Sequence, residues 1–269
     1  MPEMIDHISP SMLGLFCRCQ EAFRRRYIEG IKLPPGIAAC IGTGMHKGAE
    51  ANHRQKMGSG CDLPVSDIQD AARDGYHKAV SDGVFIPAGE EAGASAELSK
   101  GVDTAVSLAT AYARHVAPRI RPVAVEYKME AAVEGLPVPL LGIIDVLDES
   151  GWCPDLKSAG RKWPESKAEG NMQPPIYHYL LKVTRGIEAS MSFEVITHKG
   201  DHQPIPVNVR DDDLAPIVAR AKGLLHTMQS GVFLPAEPGH WMCGPKWCGY
   251  WHSCFFIPNY KKCARSNAA

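Results

Sequence analysis

Apolar positions keep a helical period over the first part of this chain and turn to a period of two in the middle. From Ser9 onward Met12, Leu15, Phe16 and Cys19 recur at helical spacing, with Phe23 one turn further on. Ser9 fits an N-cap and Pro10 the first helical position, so a helix is predicted over Ser9–Tyr27. Gly30 and Pro34-Pro35-Gly36 end it. A second helix opens at Ile41-Gly42-Thr43-Gly44-Met45-His46 and runs to about Lys56. Residues 66–82 and 93–117 read as two more, the latter with Leu98, Val102, Ala105, Val106, Ala109 and Tyr112 on one face.

Alternation then takes over. Val123–Ala132 (holding Glu126), Val138–Leu147 and Trp152–Lys157 are predicted strands separated by short turns. Ser158–Gly170 is a polar loop, and Pro174-Pro175 sit in the first turn of a helix reaching about Val183. Strands over Glu188–Thr197 and Ile205–Val209 precede a helix over Asp211–Met228, whose acidic residues lie at its positive end. Mixed strands and helices predict an α/β protein. Pro154 has no N–H for a ladder, so its strand needs an edge position or a bulge.

Composition narrows this picture. At 269 residues the chain suits one large domain carrying an insertion. Its expected parts are 1–36, a helical region 37–121, a core 122–235 and a cysteine-rich tail 236–269. A net charge of −1 excludes a globally basic nucleic-acid binder but leaves room for a local basic groove. The run holding Arg18, Arg24, Arg25, Arg26 and Lys32 is one candidate, with a solvated helix face as its other reading. No secretory leader and no membrane-length apolar run is visible, which leads us to expect a cytoplasmic protein.

The unusual stretch is Leu140–Lys157, read as two strands joined by a turn. Asp145 interrupts an apolar strand, and Asp155 and Lys157 share one face of the next with Leu156 on the other. Two carboxylates and an ammonium suit metal-dependent phosphodiester hydrolysis, which needs a hard divalent cation, oxygen ligands and a group to orient water. The Leu156 backbone carbonyl is a further oxygen. His46, on one helix face with Glu50 and His53, offers an imidazole. An ordinary strand-end ion pair is the plainer alternative. The Gly42-x-Gly44 pair lacks a preceding strand and a third glycine, so close helix packing is preferred to a dinucleotide site.

Nine cysteines, an odd number, argue against a complete disulfide framework and toward metal ligation in a reducing compartment. Cys243, Cys248 and Cys254 fall within twelve residues beside Trp241, Trp247, Tyr250 and Trp251. Three thiolates leave a four-ligand site one short. The aromatics are expected to pack around that site, with stacking on single-strand bases as the alternative. Cys40, Cys61, Cys153 and Cys263 are read as structural.

Together, His46, Gly142-Ile143-Ile144-Asp145, Asp155-Leu156-Lys157 and Gln173-Pro174-Pro175-Ile176-Tyr177 resemble the motifs of PD-(D/E)XK nucleases of the RecB type. The opening from Ser9-Pro10-Ser11 to Tyr27 is similar too. The resemblance implies a restriction-endonuclease-like core with a central mixed sheet flanked by helices. It implies a metal-dependent DNA nuclease using Mg²⁺ or Mn²⁺, with DNA ends or single strands as substrate, acting in recombination, repair or CRISPR adaptation. By it, Asp145, Asp155 and His46 are metal ligands, Lys157 is the catalytic lysine, and Gln173, Tyr177, Arg24 and Arg25 support the site or contact DNA. An exonuclease is expected. A structure-specific or nicking endonuclease and a non-catalytic DNA-binding scaffold are the alternatives. A subset of such nucleases carries a [4Fe–4S] cluster on one cysteine before the core and three after it. This implies Cys19, with Cys17 as rival, joined to Cys243, Cys248 and Cys254 in a staple of the two termini. Zinc is the alternative. Two departures are Asp155 where Glu is more frequent, and Pro154 in a usually apolar place.

Overall fold

The computed structural model describes residues 5–257, apart from 88 and 238. Cys263, read as structural, lies outside the described residues. Helix α1, Pro10–Arg18, starts as its cap predicts, with the Met12 amide donating to Ser9 Oγ at 3.3 Å. The long helix expected to follow is broken at Cys19, which is extended (φ −163°, ψ 106°). Its sulfur accepts from the Ala22 amide at 3.4 Å and so caps the next turn, α2, Gln20–Phe23. A π-helical turn, Arg24–Ile28, completes this unit.

Helix α3, Ile37–Ser59, begins earlier than expected, placing Gly42 and Gly44 inside it. A Cβ on Gly44 would lie 2.8 Å from the Ala72 carbonyl oxygen, and one on Gly48 2.8 Å from that of Ile68. These glycines bring α3 onto the backbone of α4, Val65–Ser81, beside α5, Glu91–His115. The Gly-x-Gly pair therefore serves helix packing.

Strands β1, Pro122–Ala131, and β2, Leu140–Asp148, pair antiparallel. Strand β3, Trp152–Ala159, pairs parallel with β4, Ser190–Thr197, which pairs antiparallel with β5, His202–Val207. The β3–β4 register is continuous through Pro154, so an edge position accommodates this proline without a bulge. Leu140–Lys157 is not a ladder-paired hairpin, because β2 and β3 fall in separate hydrogen-bonded sheets. Pro154 has no N–H to offer β2, and that of Leu156 goes to the Asp145 carboxylate at 3.1 Å.

Helices α3 and α5 pack on Val146, Leu156 and Ile196, forming one helical layer. Helix α6, Glu165–Glu169, lies within the predicted loop and is too short to carry a period. Helices α7, Gln173–Arg185, and α8, Ala215–Ser230, join α1 over Leu140, Ile144, Leu147 and Met191. The expected α/β arrangement, a mixed sheet between helices, is present. Beyond Gly239 the described tail is a succession of tight turns. No helix among the described residues is long and apolar enough to cross a membrane.

Candidate active site

Three elements meet at Asp145. From α3, His46 Nδ1 approaches Asp145 Oδ1 at 3.4 Å, while the other carboxylate oxygen accepts the Leu156 amide. On β3 the side chains alternate as the sequence implies. Leu156 packs into the α3–α5 layer, and Lys157 Nζ lies 2.5 Å from Asp155 Oδ2. That oxygen is buried, and the Lys157 ammonium is its ion-pair partner.

Electrostatics divide the two acids. Burial pushes Asp155 up to about 6, with Asp145 adding to the rise and Lys157 opposing it. Asp145 is also penalised by burial, yet the charge and contact of His46, with Lys157 and the Leu156 amide, hold it below the usual carboxylate range. Burial works against the His46 cation, but Asp145 and then Asp155 raise its affinity for a proton. Two carboxylates buried beside each other repel, and a divalent cation between them would relieve that repulsion. Two buried carboxylates and one imidazole therefore fit a hard metal ion.

A tighter group of ligand atoms exists elsewhere. His178, Glu188 and Asp211 lie within 4.8 Å of one another, but Lys182 Nζ fills their midst with ion pairs of 2.8 Å to both acids.

The other members of the predicted face on α3 part from His46. Glu50 is engaged by Lys47 and Arg54, at 2.5 and 2.8 Å. His53 is buried against Tyr112, its Nε2 2.6 Å from the hydroxyl, and burial pulls it down to about 4, leaving a neutral ring at physiological pH.

Gln173 Nε2 donates to the Tyr177 hydroxyl at 3.0 Å. Burial raises the Tyr177 pKa and the Asp155 charge adds to it. The motif glycine makes room for this ring: a Cβ on Gly142 would stand 2.9 Å from the Tyr177 ring and 2.8 Å from Leu180. Gly142→Ala is expected to cost about 1–3 kcal/mol through overpacking, and to slow any cleavage by displacing Tyr177. Urea unfolding measures the first effect, and an alanine variant of full stability would show this contact to be slack.

Glu126 was visible in its strand but given no role. The β1–β2 register sets it opposite Asp145, and its φ of 48° is a left-handed conformation strained for a non-glycine residue. Burial, then Asp145 and Glu50, raises its pKa. An acid on the strand paired with the motif strand was the available signal.

Arg24 and Arg25, expected to support the site or contact DNA, are both held by acids of their own segment. Arg24 binds Glu21 and Glu29. Arg25 is buried, with Nε 2.8 Å from Glu21, Nη1 2.8 Å from Ser253 Oγ and Nη2 2.7 Å from the Ser253 carbonyl, joining the two ends of the chain. Burial raises the Cys248 thiol pKa, and Cys19, Cys243 and Cys254 add to it; Cys243 responds to burial, Cys19 and Cys254. The four thiols thus share one neighbourhood, whereas Cys17 is exposed. Cys40 and Cys153 are buried, and Cys61 is exposed. Of the tail aromatics Tyr250 is buried, while Trp241 and Trp247 are exposed and meet edge to face at 5.5 Å, so the expected aromatic packing is only partial.

No curated protein matches this chain. Among solved structures it is similar to a protein of Eubacterium rectale described as a "Putative exonuclease", with 11% identity, 88% of this chain and 87% of that one covered, and a TM-score of 0.54. A second, SSO0001, is 13% identical over 95% and 88% of the two chains with a TM-score of 0.45, too slight a likeness to argue from. Family profiles match residues 7–255 to the PD-(D/E)XK nuclease superfamily, a span holding every motif residue described above. This chain belongs to the PD-(D/E)XK nuclease superfamily.

Proposed function

We propose that this protein is a DNA exonuclease dependent on Mg²⁺ or Mn²⁺, acting on ends or single strands in recombination, repair or CRISPR adaptation. The observation that carries this reading is the contact of His46 with Asp145 and of Lys157 with Asp155, with the Leu156 amide tying Asp145 to the strand that bears Asp155. A cation held by His46, Asp145, Asp155 and the Leu156 carbonyl would polarise the scissile phosphate and make a bound water nucleophilic. The carbonyl belongs in this set because the N–H and C=O of a strand residue point to one side, and the Leu156 N–H faces Asp145. Lys157, tied to Asp155, holds a positive charge where the departing or attacking oxygen becomes negative. Tyr177 and Gln173 brace this face of the site. The exonuclease assignment takes support from the name of the Eubacterium rectale protein.

The ends of the chain suit a [4Fe–4S] cluster on Cys19, Cys243, Cys248 and Cys254. Cys19, Cys243 and Cys248 line a cavity of about 630 Å³. No three of these thiols come within 4.8 Å of one another. Tetrahedral zinc, with Zn–S near 2.3 Å, draws thiolates to about 3.8 Å apart. Zinc is the alternative occupant of the same four thiols.

End-labelled linear DNA and closed circular DNA, each with Mg²⁺ or Mn²⁺, test the activity. The linear substrate should shorten from its ends, the circle should stay intact, and EDTA should stop the reaction. Nicking of the circle would instead identify an endonuclease, and binding without cleavage a scaffold.

A further inference from the structure

The groove between α1 and the α6–α7 segment is unused by the chemistry above. It is a cavity of about 440 Å³ lined by Ser11, Gly14 and Arg18 from α1 and by Lys167 and Gln173 from the facing side. We propose that it is the track for a single nucleic-acid strand entering the active site, with Arg18 and Lys167 as its phosphate contacts. This rests on the nuclease reading and adds the path and form of the substrate.

Three observations carry it. The first is charge. Arg18 and Lys167, which line the groove, have no carboxylate partner among the described residues. Helix α6 is two-sided. Lys167 faces this groove, while Glu165 and Glu169 line a different cavity beside β5. Unpaired cations on both walls are suited to a ligand carrying negative charge.

The second is preorganisation. Lys167 Nζ sits 3.9 Å from the centre of the Trp163 ring. Trp163 is itself clipped to β5, its amide donating to Gln203 Oε1 at 2.8 Å and its carbonyl accepting from Gln203 Nε2 at 3.0 Å. The opposite wall includes the first turn of α1, whose positive end adds to the attraction for phosphate.

The third is continuity. Gln173 lines the groove and donates to the Tyr177 hydroxyl. Lys167 has its pKa lowered by burial and then by the charges of Arg161 and Lys157, so the groove cations and the motif lysine share one field. A positively charged groove with an aromatic ring beside it is the arrangement that binds a single strand.

Fluorescence anisotropy with a labelled 12-residue single-stranded DNA, without divalent metal, tests this. Arg18→Ala and Lys167→Ala should each weaken binding about five- to tenfold at low salt and flatten the log K against log [salt] slope by about 0.7. Gly14→Leu should plug the groove. A Cβ there meets nothing closer than 4.0 Å, and leucine favours a helix, so affinity should fall without loss of melting temperature. In cleavage the KM for the 12-mer should rise, and the penalty should shrink on a dinucleotide. Lys78→Ala, on α4, should match wild type. Wild-type affinity and salt slope in the Arg18 and Lys167 variants, with wild type itself binding and cleaving, would remove the groove from the mechanism. Equal losses on blunt duplex DNA would overturn the single-strand claim. A wild type that neither binds nor cleaves DNA would fail the nuclease reading instead.

Discussion

Asp155→Asn is expected to lower cleavage about 10³-fold or more, while making the metal-free protein more stable. The two effects share one cause. Burial raises the Asp155 pKa to about 6, with Asp145 adding to it, so its charge is disfavoured in the fold at neutral pH. Asparagine keeps the shape without that charge. The gain should be about 1–3 kcal/mol, or a few degrees in Tm. Calorimetry of both proteins in EDTA, beside a cleavage assay with Mn²⁺, reads both effects. A lower Tm for the variant, or undiminished cleavage, would sink this account.

The same groups set the pH dependence. A carboxylate with a raised folded pKa binds its proton more tightly in the fold, so the metal-free protein gains stability from Asp155 as pH falls through about 6. His46, raised by Asp145 against its burial, contributes in the same sense, its stabilisation being lost as pH rises through its folded pKa. Asp145 is held low and acts oppositely, losing its contribution only in stronger acid. Metal binding must displace the Asp155 and His46 protons. Acid should therefore strengthen the empty fold near pH 6 while weakening Mn²⁺ affinity, and Asp155→Asn should flatten the former trend.

How much of this was legible in sequence depended on how local each cause is. The β2 and β3 motifs were legible because strand alternation alone fixes which of Asp155, Leu156 and Lys157 share a face. The Gly142 requirement was visible only as a motif letter, since its reason is the ring of Tyr177, thirty-five residues onward in sequence. The break at Cys19 was hidden, because Phe23 continues the helical period across it. The failed β2–β3 ladder followed from a side-chain acceptor replacing a strand, which no periodicity records. Glu126 went unassigned because its strain is a backbone property. Arg25 was read as a surface cation, and only the fold brings Ser253 to it.

Cys248→Ala is expected to bleach the anaerobically purified protein and free its tail. Crowding of Cys19, Cys243 and Cys254 around Cys248, on top of burial, opposes four bare thiolates and favours them all once a cationic cluster is bound. Among the described residues the other attachments of this end include Arg25 to Ser253, the Tyr250 hydroxyl to the Ile31 carbonyl at 2.7 Å, the Lys246–Glu90 ion pair at 2.9 Å and the buried side chains of Tyr250 and Ile257. Exposed Trp241, Trp247 and Phe255 add little burial. The cluster should therefore supply several kcal/mol to the docking of the tail. The variant should lose the broad visible absorbance and show rapid proteolysis between Gly239 and Ile257. Cys17→Ala should keep its colour, because Cys17 is exposed and only Cys19 acts on the tail thiols. Colourless wild-type protein with stoichiometric zinc would replace iron and sulfide by a single ion. A colourless, metal-free protein whose tail resists protease equally with and without Cys248 would leave Arg25 as the real clasp.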